Sequence, residues 1–116
     1  MIFGAHTIVF THDADADRAF FRDVLGLHSL DSGGGWLIFE MPPGELAFHP
    51  TDGAMTNEIF LLCDDLAAEM SELEAQGVVF TTVDEERWGT ITHFTLPGGT
   101  TIGLYQPKHP TALKRT

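Results

Sequence analysis

The chain states one pattern twice. Asp13 opens a stretch that closes at Gly26, and Asp64 opens one that closes at Gly77. A β-type run precedes each, at residues 7–10 and 59–62. Each half then ends in a strand-like run, a Pro/Gly turn and a second run: 36–41, Pro42-Pro43-Gly44 and 46–49, then 91–96, Pro97-Gly98-Gly99 and 102–105. A repeat of about half the chain predicts a duplicated module. The cleft between two such copies is the natural place for a small ligand.

At 116 residues the sequence is expected to make one domain over 1–116, with module one at about 4–50 and module two at about 57–107. Six basic against 17 acidic residues give a net charge of −11. That charge repels a phosphate backbone and an anionic lipid surface, so neither nucleic acid nor membrane is expected as a partner. It favours a cationic ligand or a metal ion, and it also confers solubility. Apolar runs fall short of the roughly 20 residues that span a bilayer. With no signal-like block at the start and a lone Cys63, the expected location is cytoplasmic. Cys63 ends an apolar run and reads as a small buried hydrophobe.

Residues 6–11 alternate as a strand, with His6, Ile8 and Phe10 on one face. Asp13 is a helix N-cap, with Asp15 and Asp17 in the first turn where the helix dipole favours negative charge. Phe20, Phe21, Val24 and Leu25 form an apolar stripe, and Gly26 supplies a left-handed stop. Residues 27–30 are a short strand, and 36–41 and 45–49 pair as a hairpin. In the second half 58–63 is a strand, and Asp64 or Asp65 caps a helix with Leu66, Met70 and Leu73 on its inner face. Gly77 stops it. A strand at 78–82, a polar loop at 84–87 and a hairpin of 89–96 with 101–105 follow. The expected fold class is α+β: two βαβββ modules whose curved mixed sheets surround a shared groove.

These residues resemble the vicinal oxygen chelate superfamily, which includes glyoxalases, bleomycin resistance proteins and extradiol dioxygenases. The resemblance rests on His6-Thr7-Ile8-Val9, on Phe20-Phe21 with Val24-Leu25-Gly26-Leu27, and on Glu58-Ile59-Phe60-Leu61 before Asp64-Asp65. Trp88-Gly89 and Leu96-Pro97-Gly98-Gly99 complete it. It implies a homodimer and a groove for a small organic molecule, built within one chain or across two. It also implies four metal-ligand positions: the start of the first strand of each module and the last strand of each module. These fall on His6, Glu58, Ala47 and Gly103, although a gapless overlay of the two repeats selects Asn57 in place of Glu58. Two positions therefore lack a side-chain donor. His49, on the same strand face as Ala47, is a substitute that lies about 7 Å along the strand.

Two functions remain open on these residues. One is a metal-free binding protein whose groove is lined by His6, His49, Glu58, Trp36, Trp88, His93 and Tyr105, suited to a cationic or aromatic ligand. The other is a lyase, isomerase or dioxygenase in which a divalent metal ion on His6 and Glu58, with or without His49, polarises adjacent substrate oxygens. A third possibility is a groove filled by side chains. His93 and Phe94 point to opposite faces, and either one can face the groove. Gly33-Gly34-Gly35 is no phosphate loop, because neither the following Lys-Ser/Thr nor a helix is present.

Overall fold

A computed structural model describes residues 6–113. The two helix caps form as the carboxylates dictate. Asp13 accepts from the Ala16 amide at 3.0 Å and opens α1 (Ala14–Ala19), which continues as a π-helical turn, Phe20–Val24. Asp65 accepts from Ala68 at 3.1 Å and opens α2 (Leu66–Ala75), while the Gln106 side chain accepts from the Leu66 amide at 2.9 Å. Both helices end at glycines in the left-handed region, Gly26 at φ 69° and Gly77 at φ 91°, where a side chain would be strained.

The remaining elements are β1 (Ser29–Asp31), β2 (Leu37–Phe39), β3 (Phe60–Leu62), β4 (Asp84–Glu85), β5 (Gly89–Thr95) and β6 (Thr101–Pro107). The second half makes a mixed sheet in the order β3-β6-β5-β4. In it β3 runs parallel to β6, with Phe60 opposite Gly103, and β5 pairs antiparallel with β6 around the Pro97-Gly98-Gly99 turn. The first half holds only the antiparallel pair β1-β2. The architecture is α+β with two helices and mixed pairing.

Four expectations are corrected. Residues 6–11 and 46–49 form no strands, and β2 pairs with β1 in place of the expected 36–41/45–49 hairpin. Alternation tells which face a strand would present, but a strand exists only against a partner edge, and none is offered to these segments. The expected strand at 78–82 shrinks to a bridge between Phe80 and Phe94. Irregular bonds at Thr81 replace the ladder: its amide donates to His93 and its carbonyl accepts from the Thr92 hydroxyl. The pairing resumes at 84–85, which was expected as loop.

The core lies between α2 and one face of the second sheet. Leu66 and Leu73 pack on Phe94, Leu96, Ile102 and Leu104. The apolar stripe of the first helix joins it: Phe20 meets Phe94 at a ring separation of 5.8 Å, and Phe21, Val24 and Leu25 sit against the same cluster. One polar contact fastens this junction. The buried Asp17 carboxylate accepts from the Gly98 amide at 2.7 Å through one oxygen, while its second oxygen is buried without a partner. A Cβ on Gly98 would strike that carboxylate and the Thr11 hydroxyl. Gly98→Ala is therefore expected to cost about 2 kcal/mol by overpacking, read as a lower urea midpoint. Gly44→Ala, with open space around it and an ordinary backbone angle, serves as the control expected to show no such loss.

Candidate functional site

Alternation along β6 sorts its side chains. Ile102 and Leu104 face α2 and the core, and Gly103 and Tyr105 face the other way. That second face is aromatic. The Phe60 ring stands edge-on to Tyr105 at 5.6 Å and to His93 at 5.8 Å, and Trp88 stands edge-on to Tyr105 at 5.2 Å. The ambiguity between His93 and Phe94 is resolved: Phe94 is core, and His93 belongs to the aromatic face. His109, beyond the end of β6, lies 6.1 Å from the Tyr105 ring and within 3.5 Å of its hydroxyl.

Charge reaches this face. Burial first, and then the nearby Glu45 carboxylate, pushes the Tyr105 phenol above its ordinary range, so it stays a neutral hydroxyl. Glu45 is held in place by accepting from the Ala112 amide at 2.8 Å. Lys108 bridges to Glu85 at 2.7 Å along the neighbouring edge, an exposed pair that is screened by solvent.

The other candidates lie apart from this cluster. Trp36 is largely exposed and takes the Arg18 guanidinium over its ring at 4.5 Å. His6, His49 and Glu58 are exposed. Among the described residues no three His, Cys, Asp or Glu side chains stand close enough to hold a metal ion. The residue set does not fit a resident divalent cation for a further steric reason. Any side chain at Gly103 would run into the Phe60 ring, which covers that position. Where the resemblance calls for a ligand-bearing residue, an aromatic ring lies over a bare backbone.

Phe60 was overlooked in the sequence, although a signal was there. A large residue stands two positions after Glu58, and the partner strand offers only hydrogen at Gly103. Asp17 was likewise read as a dipole partner, not as a link between halves.

Forty-six chains among solved structures match this one. TnmS3, an antibiotic binding protein from Streptomyces sp. CB03234, is 24% identical over 90% of this chain and 100% of its own, with a TM-score of 0.61. Lactoylglutathione lyase from Agrobacterium tumefaciens is 20% identical over 87% and 90%, with a TM-score of 0.61. A superfamily member from Sphaerobacter thermophilus DSM 20745 is 21% identical over 90% and 98%, with a TM-score of 0.63. The chain shares its fold with these structures, whose names include glyoxalase/bleomycin resistance/dioxygenase superfamily proteins. No protein-family profile matches the chain, and no curated protein does. Within this glyoxalase-like fold the likenesses include both a binding protein and a lyase, so they leave the chemistry to the residues.

Two outcomes follow. Gly103→Ala is expected to cost roughly 2 kcal/mol in the parent chain and clearly less in a Phe60→Ala background, a coupling that a double-mutant cycle by chemical denaturation reads directly. Burial first, and then the charges of Glu69, Asp64 and Asp65, pushes the Cys63 thiol up to about 11. At pH 8 it should alkylate on the order of a hundredfold more slowly than a free thiol. Because the folded state holds this proton more tightly than the unfolded state, the stability linked to it is complete below the ordinary thiol range. That stability declines as pH rises from about 9 toward 11.

Proposed function

We propose that the protein is a metal-independent binding protein for a small aromatic cation, which it holds on the face formed by Phe60, Trp88, Tyr105 and His93. The observation that carries this reading is the Phe60 ring lying over Gly103, which puts a stacking surface at a position where the resemblance implies a metal ligand. Edge-on rings leave π-faces open to a flat partner, and Trp88 and Tyr105 favour a positive charge close to them. The Glu45 charge felt at Tyr105 and the net charge of −11 favour the same sign. A neighbour in fold, TnmS3, is an antibiotic binding protein, which is in keeping with sequestration rather than turnover. The lone thiol fits a cytoplasmic setting, and no described helix is long and apolar enough to cross a membrane. The working unit in this reading is a homodimer of single-domain chains.

The test is a titration of Trp88 fluorescence, in a Trp36→Phe background, with a panel of planar aromatic cations and cationic antibiotics. Saturable quenching by at least one compound is expected, unchanged by EDTA and weakened tenfold or more when Trp88→Phe is read by calorimetry on that compound. Failure of every compound to bind would reject the ligand class, and loss of binding in EDTA would reject metal independence.

A further inference from the structure

The aromatic face already has an occupant. Tyr105, at its centre, is 9% exposed, and three rings stand around it: Phe60, Trp88 and His109. A ligand that reaches Tyr105 has to move one of them. Phe60 is locked over Gly103, and Trp88 immediately precedes β5. His109 has no such support. It lies on a segment that leaves the sheet after Pro107. The Lys108 amide still donates to the Trp88 carbonyl at 2.8 Å. Pro110 then confines His109 to extended backbone, which keeps the segment from coiling into a helix.

Two groups of this segment stand in for a ligand. The His109 ring is flat and lies tilted at 41° to Tyr105. Its Nδ1 is 2.9 Å from the Pro110 carbonyl, which can only accept. In the neutral ring Nδ1 therefore carries the proton, and Nε2 accepts from the Tyr105 hydroxyl at 3.5 Å. The second group is the Ala112 amide, which donates to Glu45 at 2.8 Å. Glu45 is the carboxylate whose charge is felt at Tyr105. A ring against Tyr105 and a donor on Glu45 are the two contacts that a flat cation would make here. Both are lightly held. His109, Ala112 and Glu45 are exposed, and the neighbouring Lys108–Glu85 pair is screened by solvent. A segment fastened by a few exposed bonds opens at low cost. The Ala112 amide is a neutral donor, whereas a cation makes a charge-assisted bond to the same carboxylate, which is stronger.

We propose that residues 108–112 are an autoinhibitory strap over the ligand site, which an aromatic cation displaces by taking Tyr105 from His109 and Glu45 from Ala112. The inference rests on the binding reading above for the class of ligand, but not for the strap itself. Docking of the strap and binding of the ligand compete for one surface. If the strap holds the face for about nine-tenths of the time, the apparent affinity is roughly a tenth of the intrinsic one. The strap also sets a threshold. A flat neutral compound can replace the His109 ring, but it offers Glu45 no charge and leaves the Ala112 contact in place.

Two substitutions break the same hydrogen bond from opposite sides. Ala112→Pro removes the donor and leaves the carboxylate to the ligand, so the best-bound cation of the panel should bind roughly threefold or more tighter in calorimetry. Glu45→Ala removes the carboxylate that strap and ligand share, so the same cation should bind more weakly. Effects of the same sign, or no effect of Ala112→Pro, would overturn the proposal. A second reading needs no ligand. Tyr105 is the single tyrosine of the chain, so phenolate absorbance reports on it alone. Burial is the first cause of its raised phenol, so the midpoint should fall toward the ordinary value in His109→Gly. An unchanged midpoint would overturn the strap whether or not a ligand is found. A lowered midpoint with no cation bound by any form would reject the ligand class alone.

Discussion

One buried hydrogen bond fastens the first helix to the sheet of the second half. Asp17, in the first turn of α1, is buried and accepts from the Gly98 amide at the tip of the β5-β6 hairpin. A charge-assisted bond of this kind is stronger than a neutral one, and its removal leaves an unpaired donor in the interior. Around it the first helix lays Phe20 and Val24 on a core otherwise built by α2, β5 and β6. The bond needs a glycine, since the carboxylate and the Thr11 hydroxyl occupy the space of a side chain. Helix, turn and core are thus mutually placed, and the opposite face of the sheet carries the aromatic cluster.

That opposite face owes its character to a second close approach, of the Phe60 ring to Gly103. Here a missing side chain on one strand is filled by a large one on the parallel neighbour. This complementarity removes a donor position and puts stacking surface in its place. The aromatic cluster then extends through Tyr105 to Trp88 and His109 without further specialised geometry.

Much of this was legible in the residues. Asp13, Asp65, Gly26 and Gly77 announce helix ends because capping and left-handed stops are local chemistry, and each does what its type dictates. Leu66, Met70 and Leu73 announce a buried stripe because helical spacing is fixed. The hairpin around Pro97-Gly98-Gly99 is equally local. The strands at 6–11 and 46–49 were misjudged because pairing is not local: their alternation is genuine, but the chain supplies them no edge. The candidate site was half visible. His93, Trp88 and Tyr105 stand out by type and place, whereas Trp36 lies apart from the cluster. Phe60 was passed over because its role is defined by an atom absent on another strand.

The sequence by itself determined the repeated pattern, the caps, the stripes, the turn glycines and the bare side chains at Ala47 and Gly103, all of which are written in residue type and spacing. Only the tertiary structure decided that the two halves are unequal. The second half closes its sheet because β3 finds β6 alongside, whereas the first half holds two strands and exposes Phe10 and Phe48. Equal patterns gave unequal structures because a hydrophobic face specifies what must be buried, while the partner that buries it is set by which edges the folded chain brings within reach.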